Sequence, residues 1–107
     1  MSGTVARISI SSDAPYFLAS PPSVIHVGGK GPNPTRQEAP HPHQVVVHER
    51  DNELLVPDLG ADIVWRFNIS KDGLLQDQER HIQYEAGGGP RHVVLHGEHP
   101  PPLFFLR

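Results

Sequence analysis

Two stretches of the chain, "PHQVVVHE" from Pro42 and "PRHVVLHG" from Pro90, align without a gap at an offset of 48 residues. Pro42 meets Pro90, His43 meets Arg91, Val45 and Val46 meet Val93 and Val94, Val47 meets Leu95, and His48 meets His96. A recurrence near this period fits the blade of a β-propeller or a helical repeat of the HEAT type, and little else. Local chemistry separates the two. "QVVVH" and "HVVLH" are short β-branched runs bounded by proline and polar residues, which reads as strand. They are apolar on both faces, as a strand covered on both sides should be.

The residues between the copies supply three more strands. "ELLVP" follows the turn "ERDN" and predicts a second strand from about Glu53. "IVWRFNI" after "LGAD" predicts a third, carrying Trp65, the single tryptophan. Asp72-Gly73 marks a tight hairpin, because glycine tolerates the positive φ that such a turn needs. The fourth strand is expected within "ERHIQYE". A weaker copy opens the chain at an offset of 37, with Ile8-Ser9-Ile10 standing where Val45–Val47 stand and Tyr16-Phe17-Leu18 near Glu53–Leu55. The resulting division is a partial blade over 1–20, a connecting loop over 21–41, a complete blade over 42–89 and the start of another over 90–107. The fold class is all-β.

Composition narrows the function. One domain is the limit for 107 residues, and with 36% hydrophobic residues, 12 prolines and 10 glycines its core is thin. A formal charge of −3 with scattered signs offers no basic stripe for nucleic acid. Without cysteine there is no disulfide, no thiolate metal site and no cysteine nucleophile. No apolar run is long enough for a secretion signal or a membrane span, so the expected compartment is the cytoplasm, and the sequon at Asn68 carries no weight there.

His43 and Arg91 occupy one slot in successive repeats, so both face the same end of the unit and one substrate could touch both. A histidine exchanges protons near neutrality, and an arginine fork suits a carboxylate, a phosphate or a developing oxyanion. The plain alternatives are a turn histidine and a solvated arginine. No metal is expected. His41 and His43 share a face without a third ligand at a diagnostic spacing, and His92 and His96 lie about 13 Å apart along an extended strand. His48 and His96 mark strand ends. "GGKGPNPT" lacks the spacing of a phosphate-binding P-loop. "GGGPR" either presents backbone N–H groups to an anion beside Arg91 or serves as a flexible loop. Asp58 and Asp62 of "DLGAD" line the channel, bind a cation or, the favoured role, organise a turn. Gly88, Gly89, His92 and Asp58 are the candidate substrate-binding residues.

"KGPNPTRQEAPHPHQVVV", "VPDLGADIVWRF" and "GGGPRHVVLH" together resemble the seven-bladed propeller lactonases, which include 6-phosphogluconolactonases and carboxy-cis,cis-muconate lactonizing enzymes. The similarity runs from about Gly28 to His96. It implies a fragment of a seven-bladed β-propeller and a catalytic cluster of His, Glu and Arg at the mouth of its channel. His43 matches the family's histidine before an innermost strand, and Arg91 the arginine of its Gly-Pro-Arg motif. The family's glutamate and second arginine belong to positions past Arg107. The resemblance thus implies lactone hydrolysis or formation on a small anionic substrate, without an organic cofactor, and impaired in this chain. The competing expectation is a non-catalytic fragment that self-associates through open sheet edges.

Overall fold

The structure is a computed structural model that describes residues 3–15, 17–19, 21–78, 80–95 and the backbone of 103–106. At its centre is one antiparallel sheet. β3 (Val46–His48) leads through a single 3₁₀ turn into β4 (Glu53–Asp58), which pairs with β5 (Ile63–Ile69). β5 then pairs with two short outer strands, β6 (Leu75–Asp77) at one end and β7 (Ile82–Gln83) at the other. β5 matches "IVWRFNI" end to end, and Gly73 turns the chain at φ 77° with its N–H on the Ser70 carbonyl. The fourth strand starts earlier than expected, directly after that turn, and reaches "ERHIQYE" only as its second piece.

Two smaller sheets cover the two faces of the central one. β1 (Gly3–Arg7) pairs with β2 (Ser23–Val27), and β8 (His92–Leu95) pairs with β9 (Leu103–Leu106). Period-2 alternation sorts the side chains between these covers. Leu54 and Val56 of β4, with Phe67 of β5 and Leu75, pack under Val5 and Val27. Leu55 and Val64 pack on the opposite face under Val93. Sandwiched in this way, all six residues of β4 are buried. Each buried Val, Leu or Phe side chain contributes about 1.5–3 kcal/mol. Glu53 is buried on the β8 side and ion-paired with Arg66, one diagonal step across the strands.

Three expectations need correction. The N-terminal strands are not at Ile8–Ile10 and Phe17–Leu18. Among the described residues there, Ile10 and Leu18 form only an isolated bridge, and the strand that pairs with β1 is β2. β2 lies inside the segment expected to be connecting loop. It stands against the outer strand β6, where Ser23 Oγ accepts the Leu75 N–H at 2.9 Å. β1–β2 is therefore the outer half of a blade, and its apolar surface covers Leu54 and Val56. The first strand of the central blade is also shorter than "QVVVH". Val46 pairs with Leu55 while Pro42 bridges Asp58, so four steps on one strand match three on the other. That extra residue is a β-bulge. Pro57, opposite this stretch, has no N–H to return for the bond that His43 N–H makes to the Pro57 carbonyl at 3.0 Å. The second strand of the last segment, expected to be only starting there, is present as β9. Tyr16 and His96 lie outside the described residues.

Candidate functional site

The site is built by the two aspartates of "DLGAD", each of which ties down one of the loops that end in a candidate residue. Asp58 is fully buried. Its Oδ1 accepts N–H groups from His41 at 2.7 Å and from Gly60 and Ala61 at 3.0 Å, and its Oδ2 accepts the Trp65 indole N–H at 2.8 Å. The segment that delivers His43 is thereby pinned to the β4–β5 turn. Gly60 sits so close to the Ala39 carbonyl and the His41 ring that a side chain there would collide. Asp58 was expected among the substrate contacts; with four donors on two oxygens and no exposed surface, it is a structural residue instead.

Asp62 does the same for the second loop. It adopts φ 54°, a left-handed conformation that aspartate tolerates better than most residues. Its carboxylate accepts the Gly87 N–H at 2.7 Å, the Gly89 N–H at 2.8 Å and the Gln37 side-chain amide at 2.6 Å. The Gly88 N–H goes to the Glu85 carbonyl at 2.9 Å. The glycine loop does cradle an anion, but that anion is the protein's own carboxylate. Gly88 and Gly89 line a cleft beside Arg91, yet their N–H groups are already taken, which corrects the expectation that they greet a substrate.

Two adjoining clefts open over these loops. The first, of ≈ 350 Å³, is walled by Asn33, Arg36, Leu59, the glycine loop and Arg91. The second, of ≈ 300 Å³, holds Arg36, Glu38, His41, His43 and Arg91 together. His43 and Arg91, 48 positions apart, thus meet in one cavity. The His43 ring stands edge-on to the His92 ring, with centroids 5.2 Å apart and planes at 88°. His92 lines neither cleft and touches only the ring of His43 there. Among the described residues neither Arg36 nor Arg91 has a carboxylate partner, whereas Arg66 is held by Glu53. The hydrogen bond to Glu53 raises the Arg66 pKa above its ordinary value, against the desolvation that lowers it.

Arg36 and Glu38 were missed by reasoning from sequence. They flank Gln37 in "RQE", and the sign of their placement is alternation: Gln37 is buried while its two neighbours are exposed. The Gln37 side chain also donates to the Leu59 carbonyl at 2.9 Å and accepts the Asn33 N–H at 3.0 Å, which fixes the strip. Glu38 lies 3.1 Å from His41 Nε2. A backbone hydrogen bond first, and His41 second, lower the pKa of its carboxyl, so the cleft carries a carboxylate as well as two guanidiniums that pair with no carboxylate among the described residues. The cluster His48, Asp51 and Glu53, on the far side of β3, has its ligand-type atoms within 4.8 Å of one another. Glu53 there is already neutralised by Arg66, which leaves little charge for a cation.

The model of the lactonase family of seven-bladed β-propellers matches residues 1–101. The chain belongs to that family. A 6-phosphogluconolactonase of Bacillus subtilis (strain 168) is 36% identical over 95 residues, covering 89% of this chain and 26% of that protein. The crystal structure of a Lactobacillus plantarum protein superposes with a TM-score of 0.71 at 36% identity, over 86% of this chain and 25% of that one. A Bacteroides fragilis protein gives 0.73 at 25% identity, over 99% and 36%. This lactonase-family chain thus spans about a quarter to a third of these three proteins, and it is a fragment of a propeller: one four-stranded blade with parts of two others. No helix is long and apolar enough to cross a membrane among the described residues.

Proposed function

We propose that the cleft of His43 and Arg91 processes the lactone ring of a small anionic substrate, of the kind the name of the B. subtilis relative indicates. The observation that carries this reading is the meeting of a histidine with two arginines in one cavity, neither arginine paired with a carboxylate among the described residues. In the hydrolytic direction His43 takes a proton from water as its oxygen attacks the lactone carbonyl. The tetrahedral oxyanion forms beside Arg91, whose fixed charge stabilises it. The ring C–O bond then breaks and the proton passes from His43 to the departing ring oxygen, giving the open hydroxy acid. Arg36 holds the anionic end of the substrate. The same steps reversed form a lactone.

The test uses the whole chain with 6-phosphogluconolactone, acid release being followed against the spontaneous rate. His43→Ala is expected to abolish turnover with binding retained. Arg91→Ala is expected to lower kcat/KM by about 10–100-fold, the worth of one charge-assisted hydrogen bond. A folded sample with no turnover above background, or turnover unchanged in both variants, would sink the reading. A second reading, a binding module without turnover, is favoured by exposed apolar side chains on both outer sheets, Val24 of β2 and Val94 of β8.

A further inference from the structure

The two adjoining clefts differ in the hydrogen-bonding groups they leave unspent. In the first, Asn33 Oδ1 accepts the Thr35 N–H at 3.0 Å and the Thr35 hydroxyl at 2.9 Å. A backbone N–H can only donate, so the amide oxygen of Asn33 is fixed on Thr35 and its NH₂ is the open end. The Gln37 amide is spent on Asn33, Leu59 and Asp62. What the first cleft offers a ligand is therefore donors: the Asn33 NH₂, Arg36 and Arg91. An anion suits it.

The second cleft shares both arginines and adds acceptors. Thr35 gives its hydroxyl proton to Asn33, so its oxygen meets a ligand as an acceptor. The Glu38 carboxylate receives a backbone hydrogen bond and the His41 ring, which leaves open about two of the roughly four places a carboxylate has. It pairs with neither Arg36 nor Arg91 of the same cleft. Its backbone is fixed, since Gln37 and Ala39 on either side are 2% and 5% exposed. His41 is fixed too: its N–H is held by Asp58 and its carbonyl accepts the Leu59 N–H at 3.2 Å.

We propose that Glu38, held in place by His41 and assisted by Thr35, is a specificity-determining residue that selects a hydroxylated ligand. This selectivity rests on the clefts being the lactone site proposed above. The open places on Glu38 and Thr35 call for O–H or N–H donors. A cationic donor is repelled by Arg36 and Arg91, and a second carboxylate is repelled by Glu38. A methylene in the same place displaces water from the acceptors and returns no hydrogen bond. Neutral hydroxyl groups satisfy all three conditions. The ligand then carries an anionic end for the donor half and hydroxyls for the acceptor half, which describes the lactone of an anionic sugar acid and not a ring that bears carboxylates alone.

The experiment is calorimetric titration of the whole chain with two open-chain acids, 6-phosphogluconate and 6-(phosphonooxy)hexanoate. They share carbon chain, carboxylate and phosphate, and differ in the hydroxyls between. Wild type is expected to bind the hydroxylated acid at least about tenfold more tightly. Glu38→Ala should bring the two affinities to within about threefold, because the hydroxylated acid loses its acceptor while the other loses a like charge. Glu38→Gln, with the same shape and one acceptor, should fall between. Arg36→Ala should weaken both acids by about tenfold and leave their ratio unchanged. Circular dichroism should not change in any of the three, since both side chains are exposed. Equal affinities in wild type, no measurable binding of 6-phosphogluconate, or a Glu38→Ala loss shared equally by both acids overturns the proposal. Neither acid holds a lactone to be turned over. Lactone hydrolysis without a preference between the acids therefore counts against the role of Glu38, and a preference without hydrolysis counts against the lactonase reading.

Discussion

The Asp58 carboxylate holds four N–H groups, and the fourth is the indole of the only tryptophan. Asparagine has the same shape but one acceptor fewer. In Asp58→Asn the remaining oxygen serves the three backbone donors, and the new NH₂ faces the indole N–H, donor against donor. The expected loss is about 1–3 kcal/mol, read as a lower urea midpoint by circular dichroism. In a Trp65→Phe background the same substitution should cost less, because the opposing donor is gone. Additive losses would mean that the indole contact carries no energy. The residue-scale lesson concerns commitment: two aspartates, two glycines and a histidine look equally available in sequence, and burial with pairing separates them. Asp58 and Asp62 are spent on structure, Gly88 and Gly89 on Asp62 and Glu85, and His43 with Arg91 remain open to a ligand.

At the scale of elements, the loop 84–91 is positioned by Asp62. Replacing Asp62 with asparagine keeps a residue that tolerates φ 54° but removes one of the acceptors shared by Gly87, Gly89 and Gln37. Amide exchange at Gly87 and Gly89 should accelerate by at least about tenfold, a loss of roughly 1.4 kcal/mol in local protection. Exchange in β4 should stay as slow as before. If the glycine amides remain protected, another group holds the loop. Strand type was legible because it is local: β-branched runs, Asp-Gly and the proline boundaries located β4, β5 and the hairpin. Strand ends were less so. β3 loses two residues to a bulge set opposite Pro57, and the outer strand splits in two, because each end depends on a partner elsewhere in the chain.

For the molecule as a whole, the central blade is packed on both faces by its covers. Val93 is the buried centre of the β8 contact, and its N–H is held by Gln44 Oε1 at 2.8 Å from the bulged segment. Val93→Ala should cost about 2 kcal/mol for two methyl groups and the space they leave. The loss should appear first as faster exchange in β8, with β1–β2 unaffected, and uniform loosening of both covers would contradict the two-sided arrangement. The sequence by itself determined the repeat and its pitch, the all-β class, the hairpin, and the shared slot of His43 and Arg91. These are written in residue type and spacing, which act over a few neighbours. Only the tertiary structure decided that β1–β2 is the outer half of a blade, that "RQE" lends Arg36 and Glu38 to the cleft, and that the glycine loop closes on Asp62. The partners in those cases lie 25 and 27 residues from Asp62 and 52 residues from Leu75, and a hydrogen bond over that distance exists only once the sheets have packed.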